Sequence, residues 1–349
     1  MIPWSLLGLA SALAGRTEAA AFRQETFHYA SSVDGTGPLY ADVRYRADGR
    51  PKPVVVVMHG YSGSRQAVSL DLEELAAQGV FAMAPDLRGQ GDSAGKWDSG
   101  GLEIHDLVDA ILEGVKRYPG EVQATHLNVV GYSGGGGNAI AAAVRFPDLF
   151  HVAVSFFGIT DYAYWYHSQG RPDCNERMVA ALGGPPEALP EVYAARNANL
   201  AAGNNGWTRL HFFWDESETM CPPAMIETFL AGYRAHGFDR AVTHVTGEGD
   251  ARRWIHHYRA GNRDLSAADA LYLPDIFAPL PPGPRLPPRG RLTVCGYLVT
   301  RAFQVWIEDG QRGVVTVDYD LAGPRVRVVE NPRGYTVRVL LNSPTAALP

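Results

Sequence analysis

The sequence predicts an α/β protein with a doubly wound, mostly parallel sheet, followed by a small antiparallel β-module. Three observations carry this prediction. Between residues 25 and 278, strand-like apolar runs alternate with helix-like segments, as in a parallel sheet with helices on both faces. The apolar run Val54–Met58 is typical of a strand buried on both sides. After a proline-rich segment, short runs of alternating polarity indicate antiparallel strands.

The first unit, residues 25–278, is predicted to begin with a β-hairpin and to continue as alternating strands and helices, with a small cap. By position, residues near Pro185 and Gly203–Gly206 are assigned to that cap. The helices are predicted where apolar residues recur at helical spacing, over 67–78, 102–118, 134–145 and 224–236. The strands are predicted over 27–31, 39–46, 54–58, 81–85, 127–130, 152–157, 210–214 and 242–246.

The two ends of the chain differ from this central unit. Residues 279–290 are predicted to be a stiff linker, because six of the ten residues from 279 to 288 are proline. Residues 291–349 form the predicted β-module. Residues 1–24 contain the apolar run Ile2–Ala14, which predicts a secretory signal or, alternatively, a docking helix. A signal would make the protein secreted or periplasmic; the alternative would leave it cytoplasmic.

Composition excludes several classes of protein. The chain has 37 acidic and 31 basic residues and a net charge of −6, which argues against a nucleic-acid partner. Apart from the N-terminal run, no segment approaches the ~18 apolar residues of a membrane span, so none is predicted in the mature protein. The three cysteines form no CxxC pair, and either one disulfide or three free thiols fits. The oligomeric state stays open.

A candidate nucleophile lies between a predicted strand and an Ala-rich helix. Gly131-Tyr132-Ser133-Gly134-Gly135 fits the G-x-S-x-G pattern, in which glycines permit a tight turn around the serine. The helix that follows presents the Gly134 N–H to a developing oxyanion. We therefore predict Ser133 as the catalytic nucleophile. The alternative is a glycine-rich turn that binds a phosphate or has no ligand.

A second glycine-rich loop directly follows the strand 54–58. It runs His59-Gly60-Tyr61-Ser62-Gly63-Ser64. In serine hydrolases with this strand-to-helix turn, such a loop supplies the second oxyanion N–H. We predict that the Tyr61 N–H pairs with the Gly134 N–H in that role, the alternative being an ordinary turn.

These motifs resemble a known family when taken with three further segments. Residues 50–260 resemble an α/β-hydrolase, most closely the prolyl oligopeptidase and dienelactone hydrolase group. Too few residues precede this region for the β-propeller of the oligopeptidases, which favours an esterase over a peptidase. The further matching segments are DLRGQGDS at 86–93, GITDY at 158–162 and GGPPEALPEVYAARN at 183–197.

The resemblance also implies an acid and a histidine. In the family the acid stands four residues after the last strand residue and three before an apolar-Pro pair, which gives Glu218, with Asp215 as the alternative. The expected Gly-x-Gly-His is here Gly-Glu-Gly-Asp at 247–250. We therefore predict His256 as the catalytic base and His257 as its alternative, whereas His244 is predicted to be a packed strand residue.

The expected activity is hydrolysis of a small-molecule or polymeric carboxylic ester through an acyl-enzyme, without a metal or organic cofactor. The alternatives are a serine peptidase of the same mechanism and a degenerate hydrolase that only binds its ligand. Tyr164 and Trp165 are predicted to border the acyl pocket, although core packing explains them equally well. Asp86, Arg88, Asp92 and Asp106 are predicted to form ion pairs, and Phe303, Trp306 and Tyr319 to form either the β-module core or a polymer-binding platform.

Overall fold

The computed structural model describes residues 21–168, 170–254, 265–323 and 325–342. Within them the chain forms two sheets and eight α-helices. The helices are α1 Ser69–Ala77, α2 Glu103–Arg117, α3 Gly134–Arg145, α4 Tyr162–Ser168, α5 Pro172–Leu182, α6 Pro190–Ala194, α7 Ala224–Ala235 and α8 Leu265–Phe277. The strands are β1 Phe22–Tyr29, β2 Leu39–Arg46, β3 Lys52–Met58, β4 Phe81–Pro85, β5 Val122–Tyr132, β6 Val152–Phe156, β7 Arg209–Asp215, β8 Ala241–Thr246, β9 Arg289–Cys295, β10 Tyr297–Val299, β11 Phe303–Ile307, β12 Val314–Asp320, β13 Arg325–Glu330 and β14 Val337–Leu341.

The first sheet has eight strands in the order β1-β2-β4-β3-β5-β6-β7-β8. Strand β2 is antiparallel to β1 and β4, and the remaining neighbours are parallel. Along β3, Val54 and Val56 pack with α2, α3 and α7, whereas Val55 and Val57 pack with α1 and α8. Successive strand residues point to opposite faces, so a continuous apolar run is what a doubly covered strand requires. The predicted doubly wound, mostly parallel sheet is confirmed.

The second sheet has six strands, in the order β13-β12-β9-β10-β11-β14, and all its pairs are antiparallel. It confirms the predicted C-terminal β-module. Phe303, Trp306 and Tyr319 are 5% exposed or less, so they are core residues and do not form a surface platform. Trp306 and Tyr297 stack on each other and join the apolar cluster that includes α2 and α3. The second sheet is thus docked on the first unit.

The proline-rich residues 279–290, predicted as a linker, also lie against the first unit. Arg285 donates to the carbonyl oxygens of Thr125, Asp148 and Leu149, and its guanidinium lies over the Trp207 ring.

The assignment of Gly203–Gly206 to a cap over Ser133 is wrong. Asn204 donates to the carbonyl oxygens of Val144, at the far end of α3, and of Thr293 in β9. At 1.5 Å per residue, the 12-residue helix places this contact more than ~15 Å from the serine at its other end.

Two further expectations concern the thiols and the membrane. All three cysteines are free thiols. None of the helices in the described part of the chain is both long and apolar enough to cross a membrane. Residues 1–20, which carry most of the predicted signal or docking segment, lie outside the described residues, so the secreted or periplasmic location stays a prediction.

Candidate active site

Ser133 occupies a sharp turn between β5 and α3. Its φ of 58° and ψ of −121° lie in a region that costs a non-glycine residue about 1–3 kcal/mol. Three backbone hydrogen bonds fix this conformation: Ser133 N–H donates to the Phe156 carbonyl at 2.9 Å, and the Ser133 carbonyl accepts from Gly137 and Ile159. The surrounding strands therefore hold the serine in a strained turn at the carboxyl edge of the sheet.

The glycines on either side of Ser133 are required by contact. A Cβ on Gly131 would lie 2.0 Å from the Gly135 oxygen, and a Cβ on Gly135 would lie 2.2 Å from the Met58 oxygen. Both contacts are with backbone atoms, which cannot turn away as a side chain does. The two glycines of the G-x-S-x-G motif are thus required because α3 packs closely against β3 and β5.

The backbones of Gly134 and Tyr61 lie against each other beside Ser133. A Cβ on Gly134 would lie 2.9 Å from the Tyr61 nitrogen, so the two backbones are in direct contact. Gly134 is the first residue of α3, where N–H groups lack intrahelical partners and the helix dipole is positive. Among the described residues, neither the Gly134 N–H nor the Tyr61 N–H has a hydrogen-bond partner. This arrangement can stabilise an oxyanion.

The loop that carries Tyr61 is fixed by a turn and by ion pairs. Gly63 N–H donates to the Gly60 carbonyl at 2.9 Å, and the His59 Nδ1 lies 3.0 Å from the same oxygen. At the end of the loop, the Arg65 guanidinium pairs with Asp42, Asp86 and Asp92.

The neighbouring loop is held in the same way. Arg88 binds both carboxylate oxygens of Asp106, at 2.6 and 2.8 Å. The predicted ion-pairing role of Asp86, Arg88, Asp92 and Asp106 is confirmed.

The loop after β7 brings Glu218 towards the nucleophile. Its Oε1 accepts hydrogen bonds from the N–H groups of Met220 at 2.7 Å and Cys221 at 3.1 Å. The Cys221 Sγ in turn lies 3.6 Å from the Ser133 Oγ. Burial raises the pKa values of the Glu218 carboxyl and of the Cys221 thiol. Cys221 thus contacts Glu218 through its backbone N–H and Ser133 through its thiol.

Asp215, the alternative acid, is engaged in a different network. Its carboxylate is fully buried and accepts from Ser217 Oγ at 2.7 Å, Thr246 Oγ1 at 2.9 Å and Arg253 Nε at 2.7 Å. Burial acts to raise the pKa of Asp215, but hydrogen bonds from Arg253 and Ser217 outweigh it and hold that pKa well below its usual range. Asp215 therefore ties the end of β7 to the chain that follows β8.

The predicted bases His256 and His257 lie outside the described residues. Trp254, the last described residue before them, donates its backbone N–H to Thr246 Oγ1 at the end of β8, at 3.0 Å. His244 stacks on Phe213 with 4.2 Å between ring centroids, and its Nε2 lies 3.1 Å from His211 Nδ1. His244 is therefore a packed strand histidine, as predicted.

Of the two aromatic residues predicted at the acyl pocket, the structure brings only Trp165 to the site. Trp165 is 2% exposed, and its indole N–H donates to the Met220 carbonyl at 2.7 Å. Its ring lies 4.9 Å from that of Tyr61, centroid to centroid. Tyr164 is 43% exposed. Trp165 thus connects the Tyr61 loop with the loop of Glu218.

Four further residues, not predicted from the sequence, lie around the site: Trp97, Ser99, Glu103 and Cys221. The Tyr61 ring packs on Trp97 at 4.3 Å between centroids, and the Tyr61 and Ser99 hydroxyls hydrogen-bond at 3.0 Å. Cys221 had a signal, because it is the apolar member of the pair before Pro222. Trp97, Ser99 and Glu103 come after the segment 86–93 and belong to no motif that would have marked them.

Within the described residues, no group of three or more His, Cys, Asp or Glu side chains is arranged to hold a metal ion.

Glu103 is a buried carboxyl behind Tyr61, and its Oε1 accepts from Gly100 N–H at 2.7 Å and Asn138 Nδ2 at 3.2 Å. Burial, followed by the charge of Asp98, raises its pKa from 4.5 to about 8. Between these pH values the folded state holds a proton that the unfolded state has lost, so this group lowers the free energy of unfolding as pH rises.

We expect Glu103→Gln to remove this loss because glutamine stays neutral. On going from pH 5 to pH 8.5, the free energy of unfolding of the variant should rise relative to that of wild type by at least about 1 kcal/mol. This is the equivalent of less than one pKa unit. Urea unfolding of both proteins at the two pH values measures the difference. An equal pH dependence in the two proteins would contradict a neutral Glu103.

Comparison with known proteins gives one partial family match and several structural matches. The family described as "Serine aminopeptidase, S33" matches residues 49–163. No curated protein matches the chain.

Solved structures match a larger part of the chain. An acylaminoacyl peptidase from Pyrococcus horikoshii has a TM-score of 0.60 and 17% identity, over 72% of this chain and 41% of its own. A puromycin-hydrolyzing peptidase from Mycobacterium tuberculosis has a TM-score of 0.54 and 22% identity, over 66% and 36%. An acetyl xylan esterase from Paenibacillus sp. R4 has a TM-score of 0.52 and 20% identity, over 75% and 84%.

This chain spans less than half the length of those peptidases, and the family match includes the serine turn. The identities are all below 25%, so the likeness concerns the fold. The strand order, the strained serine turn and these structural matches show that the chain has the α/β-hydrolase fold.

Proposed function

We propose that the protein is a serine hydrolase that cleaves carboxylic esters. The observation that carries this proposal is the pairing of a strained Ser133 with two N–H groups that have no partner among the described residues, those of Gly134 and Tyr61. A strained residue in a close-packed turn costs stability, and such strain concentrates at functional sites. N–H groups that meet beside a hydroxyl form the arrangement that acyl transfer requires.

In the proposed reaction, Ser133 Oγ attacks the ester carbonyl carbon and passes its proton to His256, or alternatively His257. The carbonyl π electrons move to oxygen, and the Gly134 and Tyr61 N–H groups stabilise that oxyanion. Glu218 orients the imidazole and stabilises its charged form. The oxyanion then collapses, the alcohol leaves with the proton from the imidazolium, and an acyl-enzyme remains. Water repeats the sequence and releases the acid.

An ester substrate is favoured over a peptide by two considerations. The acetyl xylan esterase is matched over 84% of its length, whereas the two peptidases are matched over 41% and 36%. Cys221 lies 3.6 Å from the Ser133 hydroxyl and Trp165 bonds to the neighbouring Met220 carbonyl, so buried side chains stand close to the nucleophile, and we take this crowding to favour a small acyl group. The alcohol is proposed to be a small molecule or part of a polymer.

The proposal is tested by a fluorophosphonate probe and by two substrates. We expect the probe to label wild-type protein at Ser133 and to leave Ser133→Ala unlabelled, because only an activated serine reacts. We expect turnover of p-nitrophenyl acetate and none of aminoacyl p-nitroanilides. Turnover of the anilides would instead favour the peptidase. A folded protein that is neither labelled nor active would show a degenerate hydrolase that only binds its ligand.

A further inference from the structure

The segment 98–101, between β4 and α2, separates the Tyr61 loop from the second sheet. Ser99 is fully buried and has a φ of 49°, a left-handed conformation that is strained for serine. Its Oγ lies 3.0 Å from the Tyr61 Oη. The Tyr61 ring is also packed on Trp97 and Trp165, so this hydrogen bond fixes the end of a side chain whose own backbone nitrogen lies against Gly134.

One end of this segment is held by Gln311, in the turn between β11 and β12 of the second sheet. Gln311 Nε2 donates to Asp98 Oδ2 at 3.0 Å, and Gln311 Oε1 accepts from Arg196 Nη2 at 2.7 Å. Arg196 Nε completes a ring of hydrogen bonds by donating to the Asp98 carbonyl at 2.9 Å. Arg196 is 5% exposed, so its bond to the Asp98 carbonyl is buried, whereas the two Gln311 bonds are partly buried.

The other end is held by Arg145 and Tyr297. Arg145, the last residue of α3, donates to the carbonyl oxygens of Gly100 at 2.9 Å and Gly101 at 3.0 Å. Tyr297, in β10 of the second sheet, donates to the Gly101 carbonyl at 3.3 Å, and its ring lies 4.8 Å from the Arg145 guanidinium carbon. The second sheet thus contacts the anchors of the segment on both sides of Ser99.

We propose that the second sheet positions the oxyanion hole, with Gln311 and Ser99 as positioning residues that act through Tyr61. This inference rests on the proposed function, since it assigns the Tyr61 N–H to the oxyanion. The path runs from Gln311 to Asp98, from Ser99 to the Tyr61 hydroxyl, and from there to the Tyr61 backbone. A small displacement of such a donor weakens transition-state binding while leaving substrate binding almost unchanged.

The first test is a double-mutant cycle on the hydroxyl pair. Tyr61→Phe and Ser99→Ala each remove the hydrogen bond and keep the packing. We expect each to lower kcat for p-nitrophenyl acetate by about tenfold, the equivalent of one hydrogen bond, with KM nearly unchanged. The double variant should lose no more than either single variant, because both changes remove the same bond. Additive losses or an unchanged kcat would overturn the proposal.

The second test moves to the second sheet. We expect Gln311→Ala to lower kcat in the same way, although Gln311 belongs to another sheet. Gln304→Ala is the matched control, because Gln304 bonds only within the second sheet among its described contacts, to Trp306 Nε1 and Asn342 Oδ1, each at 3.1 Å. Its kcat should equal that of wild type. An equal loss in both variants would indicate a general effect on folding and would overturn the proposal.

A third readout reports on the oxyanion hole itself. A thionoester places sulfur where the ester has its carbonyl oxygen, and N–H donors stabilise a developing negative oxygen better than sulfur. The ratio of kcat/KM for the ester to that for the matched thionoester should therefore fall in Tyr61→Phe, Ser99→Ala and Gln311→Ala. Suppose that wild-type protein hydrolyses the ester and, in a separate assay, is labelled by the probe at Ser133. If it and its variants then share one ester-to-thionoester ratio, the inference alone is wrong. If wild type is neither labelled nor active, the proposed function fails and the inference falls with it.

Discussion

Glu218→Gln is expected to lower kcat/KM for p-nitrophenyl acetate by about 10³- to 10⁴-fold, as removal of the triad carboxylate does elsewhere. Glutamine keeps an oxygen that can accept from the Met220 and Cys221 N–H groups, so the turn should persist. In the proposed mechanism, what is lost is the negative charge that orients and stabilises an imidazolium. Steady-state kinetics across pH, with circular dichroism to confirm the fold, measures this change.

Asp215→Asn is the matched variant, because Asp215 ends β7 and Glu218 lies three residues further on in the loop that follows. Asp215 holds Arg253, Ser217 and Thr246, so we expect its replacement to lower the free energy of unfolding by about 3 kcal/mol. Its effect on kcat should be far smaller than that of Glu218→Gln. The opposite pattern, with catalysis lost in Asp215→Asn and retained in Glu218→Gln, would make Asp215 the triad acid.

The residues that the sequence identified correctly are those with local causes. Val54–Met58 predicted a doubly covered strand because apolar side chains are needed on both its faces. Gly131 and Gly135 predicted the serine turn because side chains there would collide with backbone atoms. Glu218, predicted from its spacing to Pro222, stays a prediction as the triad acid; its carboxylate accepts from the backbone N–H of Cys221, the residue whose thiol contacts Ser133.

Other parts of the site could not be predicted, because they depend on contacts between distant parts of the chain. Gln311 and Asp98 are 213 residues apart, and a glutamine in a surface-like turn carries no pattern that names its partner. The 203–206 segment was misplaced because position along the chain says nothing about which end of α3 a loop contacts. The short helices α4 and α6 were missed because they are set by packing around Trp165 and Tyr193 rather than by periodicity.

The start of α3 contains four successive glycines, at 134–137, which have a low helix propensity. Each glycine costs about 1 kcal/mol relative to alanine within a helix, so propensity alone predicts that alanine here would stabilise the protein. Contact predicts the reverse. An added Cβ would lie 2.2 Å from the Met58 oxygen at Gly135 and 1.9 Å from the Ile159 oxygen at Gly137.

We therefore expect Gly135→Ala to lower the free energy of unfolding by about 3 kcal/mol, as overpacking against backbone does. Because the clash pushes α3 away from β3, it should also displace Ser133 and Gly134 relative to Tyr61 and lower kcat/KM by about 100-fold or more. Gly120→Ala is the control: Gly120 has no positive φ and no atom within 4 Å of its added Cβ, so its stability should stay equal or rise by up to about 1 kcal/mol. Urea unfolding and ester kinetics on the three proteins decide the matter. A stabilised, active Gly135→Ala would mean that helix propensity, and not the approach of α3 to the sheet, governs these glycines.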